Sequence, residues 1–264
     1  MRPHIAAIYA FARIADDFAD EGTRTDEARL KLLDDWRDRL HAAAGGAIVD
    51  DDSDAAAIFT ALADTMRQCS IGAALFEDLL SAFRQDVLVK RYETWEELLD
   101  YCRRSANPVG RLVLHVAGRH DDAAGRFSDA VCTALQLTNF WQDLAVDWRR
   151  SRLYVPQAIV VAHGAQERDL HLQRITPEWR SALRDVAART RGLFREGRPV
   201  ADAVRGRLRW ELKATWLGGV RILDRLESGG FDVFHARPVL GWRDAAPIAG
   251  RLIAWPLAYR SNAR

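Results

Sequence analysis

Apolar residues recur at helical spacing along almost the whole of this chain, and convincing strand alternation is absent. That pattern points to an all-α fold and away from a sheet. Pro3 suits a first helical turn, and Ile5, Ile8, Tyr9, Ala12 and Ala15 repeat at helical spacing until Gly22. Thr25 can cap a second helix ending before Gly45-Gly46. Ser53 or Asp54 starts a third, running to about Cys69, and a fourth spans Gly72 to about Lys90. Thr94-Trp95-Glu96-Glu97 has the form of a capping box, and Asn107-Pro108 breaks the helix that follows it. Val109 to Gly118 forms the next helix, Ser128 starts a long one, and Arg152 to Pro156 reads as a loop. Thr176-Pro177-Glu178 opens a later helix, and another runs from about Pro199 to Ser228, ending at Gly229-Gly230. With no fixed-period repeat and no long linker, the 264 residues read as a single all-α domain.

Two of these helices carry acid inside otherwise apolar stretches. One holds Asp16-Asp17-Phe18-Ala19-Asp20-Glu21, and the other runs from Gln136 to Asp147. Four residues on a helix advance about 6 Å and turn about 40°, so Asp16 and Asp20 share a face. Arg13 and Tyr9 fall on roughly that face. Asn139, Asp143 and Asp147 step along a second stripe, with Gln136 nearby, while Leu137, Leu144 and Val146 point elsewhere. Like charges at this spacing disfavour a helix by a few tenths of a kcal/mol. Water can offset that repulsion, and so can magnesium, which takes one or two carboxylates together with phosphate oxygens. Arg149, Arg150, Arg152 and Tyr154 follow the second stripe, and arginine grips phosphate bidentately. The residues alone leave a solvated acidic face and a metal–diphosphate site both open. A third acidic run, Asp50-Asp51-Asp52, lies in a loop and reads as solvated surface.

The bulk numbers narrow the class. A formal charge of +1 gives no basic field, so nucleic acid is not an expected partner. Cys69, Cys102 and Cys132 are odd in number and widely spaced, as expected of reduced structural thiols in the cytoplasm. No apolar run approaches the roughly 18 residues of a membrane span, and the N-terminus lacks a signal-peptide pattern. Nine tryptophans fit a helical protein with aromatic-lined interior space. The tail from Pro247 holds Ile248, Leu252, Ile253, Trp255, Leu257 and Tyr259, interrupted by Arg251. It reads either as core or as an amphipathic segment touching the inner membrane peripherally.

The motifs resemble those of the squalene/phytoene synthase family over nearly the whole chain. Tyr9-Ala10-Phe11-Ala12-Arg13 leading into Asp16 to Asp20 is similar to the first family motif. Tyr101 to Gly110 is similar to the central one. Gln136 to Asp147, followed by Arg152-Leu153-Tyr154-Val155-Pro156, is similar to the second aspartate-rich motif. Asn139-Phe140-Trp141-Gln142-Asp143 and Phe83-Arg84-Gln85-Asp86 resemble the hydroxysqualene synthase branch of bacterial hopanoid biosynthesis. Condensing relatives usually carry arginine where Gln142 stands.

The resemblance implies a terpenoid-synthase-like helical bundle, with two aspartate-rich helices facing each other across a deep hydrophobic cavity. It implies magnesium, with manganese as an alternative and no NADPH, and an isoprenoid diphosphate substrate. Asp16, Asp20, Asn139 and Asp143 would be metal ligands and Asp147 a further acid. Tyr101 and Gln136 would be polar groups beside the carbocation path, Tyr101 having the alternative of a core aromatic with a satisfied hydroxyl. Arg13, Arg152 and Tyr154 would contact diphosphate, with Tyr9 and Asn107 on the substrate side. The implied reaction converts presqualene diphosphate and water to hydroxysqualene and diphosphate. Its pathway partners would be a presqualene diphosphate synthase and a hydroxysqualene reductase. The alternatives are head-to-head condensation of two farnesyl diphosphates and a non-catalytic scaffold. The family pattern also implies a helix ahead of Met1, and glycine is usual where this chain has Ser151.

Overall fold

The computed structural model describes residues 1–47, 53–119 and 121–255, and every regular element in them is a helix. Asp50-Asp51-Asp52, Leu257 and Tyr259 lie outside the described residues. The chain divides into two compact units, Met1–Lys90 with Leu99–Cys132, and Arg91–Leu98 with Thr133–Arg264.

The first unit is built on α1 (Arg2–Asp20), α2 (Asp26–Ala44), α3 (Asp54–Gln68) and α4 (Ala74–Leu88). Their ends follow the sequence. Thr25 accepts from the Ala28 amide and Ser53 from the Ala56 amide, each satisfying a first-turn donor. α1 turns Ile8, Phe11, Ala15 and Ala19 inward. Phe11 stands at the centre of an aromatic cluster with Trp36, Phe59 and Phe76, at ring separations of 5.2 to 6.0 Å. Burying each such ring contributes roughly 1.5–3 kcal/mol. The Trp36 indole N–H donates to the Phe11 carbonyl at 3.3 Å, fixing α2 against α1.

α5 (Trp95–Ser105) follows, then α6 (Asn107–Val116) and α7 (Asp122–Arg149). Thr94 caps the Glu97 amide, but the Glu97 carboxylate accepts from the Glu93 amide, so the return bond of the expected box falls one residue upstream. α6 begins at Asn107, two residues before the expected Val109, because a proline in the first turn leaves no needed donor unmade. α7 begins at Asp122 and not at Ser128. The Asp121 carboxylate accepts from the Ala124 amide at 2.9 Å and starts the helix six residues earlier.

The second unit adds α8 (Gln157–Ala162), α9 (Glu167–His171), α10 (Pro177–Gly197), α11 (Val200–Ala203), α12 (Gly206–Ser228) and α13 (Trp242–Ile253). The expected helix from Pro199 to Ser228 is two. Arg205 is extended and Gly206 adopts φ +62°, a left-handed turn open to glycine at little cost. The short α8 and α9 carry too few residues for a periodic signal. The C-terminal helix starts at Trp242, ahead of Pro247, where the Asp244 carboxylate accepts from the Gly241 amide at 2.8 Å. Ile248 and Leu252 of this helix, with Trp255 just beyond its end, pack with Leu217 and Ala201, which is the core reading of the tail, while Ile253 is exposed.

Candidate functional site

In the first unit, α1 buries one face and leaves the predicted residues on the other. Tyr9 is 67% exposed, Arg13 and Asp20 are exposed, and Asp16 is half-buried. Arg13 gathers the acids of its own helix. Its guanidinium lies 3.3 Å from Asp16, 2.8 Å from Asp17 and 3.0 Å from Glu21. Asp17 and Glu21, off the stripe by sequence, therefore share the same cation as Asp16. Asp17 foremost, opposed by desolvation and aided by Glu21 and Asp16, raises the Arg13 pKa. These acids crowd the C-terminal turn, where the helix dipole is already negative. Arg29 offsets part of that field. It donates to the carbonyls of Phe18 at 3.3 Å, Ala19 at 2.5 Å and Gly22 at 2.9 Å.

Tyr101 is buried on α5, and its hydroxyl donates to Asp86 at 2.7 Å. The stretch Phe83-Arg84-Gln85-Asp86 acts as a polar ladder. Arg84 meets Asp34 at 2.6 Å, Gln85 accepts from Arg104, and Asp86 holds Tyr101. Arg104 also donates to Ser81 at 2.7 Å. Asn107 is buried at the start of α6.

In the second unit, α7 turns Leu137, Phe140, Trp141, Leu144 and Ala145 inward. The Trp141 indole donates to Thr190 at 3.0 Å. Asn139 is exposed, and Gln136, Asp143 and Asp147 are half-buried. The Arg237 guanidinium donates to Asp143, and this raises the Arg237 pKa against a desolvation cost. The neighbouring Gln142 amide donates to the Pro238 carbonyl at 2.5 Å. Two adjacent α7 residues thus hold two adjacent residues of the segment before α13. Arg237 was not expected from the sequence. It lies 94 residues from Asp143 in a stretch without periodicity.

The loop after α7 is also ordered by specific contacts. The Arg152 amide donates to the Asp147 carbonyl at 2.9 Å. The Tyr154 ring stacks on Phe140 at 3.7 Å and 5°, and on Tyr92 at 5.8 Å. Ser151 adopts φ +60°, so the position does require the left-handed backbone that glycine takes readily. Arg91 accommodates it, donating to the Ser151 carbonyl while pairing with Glu167 at 3.1 Å.

Among the described residues no three or more His, Cys, Asp or Glu side chains form a metal cage. Magnesium bound through diphosphate needs none, since one or two carboxylates and the phosphate oxygens suffice. The hard oxygen donors of Asp16 with Asp20, and of Asn139 with Asp143, fit such an ion. Two cavities inside the units are lined by none of the predicted site residues. One of about 760 Å³ in the first unit lies beside Ala43, Thr60 and Ile71, and one of about 410 Å³ in the second lies beside Arg91, Trp148 and His171.

Comparison with known proteins gives a consistent picture. The squalene/phytoene synthase family model matches residues 1–244. A hydroxysqualene synthase from Rhodopseudomonas palustris is 37% identical over 229 residues, covering 86% of this chain and 75% of that protein. The chloroplastic phytoene synthase 3 of Zea mays is 30% identical over 264 residues, covering 98% of this chain and 59% of that protein. The crystal structure of squalene synthase HpnC from Alicyclobacillus acidocaldarius superposes with a TM-score of 0.79 at 40% identity, covering 87% of this chain and 84% of that one. Among the described residues no helix is long and apolar enough to cross a membrane.

Proposed function

The chain belongs to the squalene/phytoene synthase family, and on that premise we propose that it is a hydroxysqualene synthase. Its relatives are isoprenoid synthases, which supports an enzyme acting on isoprenyl diphosphates. The observation that carries the finer reading is the likeness to the Rhodopseudomonas palustris hydroxysqualene synthase.

In this reading presqualene diphosphate ionises. The carbon–oxygen bond to diphosphate breaks, and its electron pair leaves with the diphosphate. The cyclopropylcarbinyl cation opens to an allylic cation, water forms the new carbon–oxygen bond, and one proton is lost. No electrons enter, so no reductant is required. Asp16, Asp20, Asn139 and Asp143 would hold magnesium, which supplies charge neutralisation to the leaving diphosphate. Asp147 is a further acid of that stripe.

The chain's own cations fit the anion. Arg13 and Arg237 rest on carboxylates, and a bound magnesium diphosphate offers each a stronger partner. Arg152 and Tyr154 follow in the loop held by Phe140 and Tyr92. Tyr9 and Asn107 lie on the substrate side of the reading. Tyr101, fixed by Asp86, and Gln136 are the polar groups offered to the cation and the incoming water. Apolar and aromatic walls would shield the cation by cation–π attraction.

Head-to-head condensation of two farnesyl diphosphates is the second reading, favoured by the likeness to the maize phytoene synthase. Product analysis separates the two. Purified protein with magnesium and presqualene diphosphate is expected to release hydroxysqualene and diphosphate. A folded protein that leaves presqualene diphosphate untouched but condenses farnesyl diphosphate would sink the first reading and support the second.

A further inference from the structure

The stretch Phe83-Arg84-Gln85-Asp86 gives α4 three polar residues in succession, and each has a different task. Arg84 ties α4 to α2, donating to Asp34 at 2.6 Å and to the Leu30 carbonyl at 3.4 Å. Gln85 and Ser81, one turn apart on α4, both accept from Arg104 of α5, Ser81 at 2.7 Å. Asp100, one turn back on α5, accepts from the same guanidinium at 3.0 and 3.2 Å. All of these residues belong to the first unit. A guanidinium presents its donors in a rigid planar fork, so its partners are fixed in direction as well as distance. The Arg104 fork is taken up along two successive turns of α4. The neighbouring Arg103 makes the outer tie between the same helices, to Asp78 at 3.5 Å and Asp100 at 3.0 Å. Arg103 is 54% exposed at its side chain and Arg104 only 17%. Joining two helices needs no more than the outer arginine. The inner one is held largely out of water by two neutral side chains, and that calls for a reason.

The reason lies one residue on along α4 and three back along α5. Asp86 follows Gln85, and Tyr101 lies at i−3 from Arg104, on the same side of its helix. Tyr101 is buried, and its hydroxyl donates to Asp86 at 2.7 Å. An ionised carboxylate can only accept, so the phenol proton is committed to Asp86 and the phenol oxygen has only lone pairs to offer. That bond depends on the axial register of the two helices. A slip of one residue, about 1.5 Å, would carry it out of hydrogen-bond range. Arg104 sets that register, because its fork is matched to both Ser81 and Gln85.

We propose that Arg104 and Gln85 are positioning residues for Tyr101: they set α5 against α4 so that Asp86 takes the phenol proton, which leaves the Tyr101 oxygen as an acceptor for the incoming water. The role toward water rests on the hydroxysqualene synthase reading, and the positioning does not. The full chain is made with 3-fluorotyrosine at its five tyrosines, and the Tyr101 fluorine resonance is assigned by its loss in Tyr101→Phe. Asp86→Asn is expected to shift that resonance and Arg104→Lys to shift it in the same direction, while Arg103→Lys leaves it in place. With magnesium and presqualene diphosphate, Arg104→Lys should lower kcat for hydroxysqualene about 30-fold, with KM held within about twofold. In a Tyr101→Phe background the same change should cost less than about twofold, because both act through one hydroxyl. Gln85→Leu should give the same pattern at about fivefold, which keeps the proposal testable should Arg104→Lys fold poorly. A Tyr101 resonance unmoved by Arg104→Lys and Gln85→Leu overturns the proposal. So does a loss of kcat that is equal with and without the Tyr101 hydroxyl, the result expected of a merely structural tie. Wild type that forms no hydroxysqualene overturns the role toward water together with the reaction reading, while the fluorine shift still decides the positioning.

Discussion

The acidic end of α1 is neutralised from within its own sequence, and that of α7 from far along the chain. Arg13 meets Asp16, Asp17 and Glu21 within eight residues. Asp143 meets Arg237 across 94 residues, and Gln142 seals the arrangement at Pro238. Both helices place carboxylates near a C-terminus, where the dipole works against them. The first therefore pairs its carboxylates locally, and Arg29 of α2 adds its charge only at the carbonyls of that turn. The second depends on the segment before α13 being in place. One cation is shared among three acids, and the other is committed to a single carboxylate.

Removing a carboxylate should have the largest effect. Asp16→Ala and Asp143→Ala are each expected to lower kcat/KM by about 1000-fold, with helicity by circular dichroism retained. They should differ in a second readout. Asp143→Ala frees Arg237 and exposes residues 232–241 to limited proteolysis, whereas Asp16→Ala leaves Arg13 held by Asp17 and Glu21. Activity retained in both variants would remove the metal roles.

Removing the cations comes next. Arg237→Ala should cost about 100-fold in kcat/KM and Arg13→Ala about tenfold, with both weakening magnesium pyrophosphate binding by calorimetry. The reverse order would break the contrast between a committed and a shared cation. Gln142→Ala should cost about fivefold and raise proteolysis in the same segment, since one hydrogen bond is worth about 1 kcal/mol.

The smallest effect belongs to Ser151. A left-handed serine costs about 1 kcal/mol, partly offset by the entropy that glycine loses on folding. Ser151→Gly is therefore expected to raise Tm by about 2 °C in a thermal melt. A lower Tm would show that Arg91 and the loop are fitted to the serine.

Local chemistry was legible and distant chemistry was not. Thr25, Ser53 and Thr176 mark helix starts because a hydroxyl caps the amide three residues on, and each does so. The two acidic stripes were visible because their spacing is set by one helix. The start of α7 was missed because the Asp121 cap precedes the strong periodicity by seven residues. The division of α11 from α12 turns on one glycine conformation at Gly206. Arg237, Arg29 and the hold of Asp86 on Tyr101 were invisible for a common reason. Each acts by reaching a group on another element, and no repeat in the sequence records that encounter.

The central claim is that water, and not a second prenyl chain or a hydride, ends the reaction. Turnover of presqualene diphosphate in oxygen-18 water tests it most directly. The account predicts hydroxysqualene carrying one oxygen-18 atom, beside diphosphate released without it. A hydrocarbon product, or presqualene alcohol with unlabelled oxygen from cleavage at phosphorus, would contradict it.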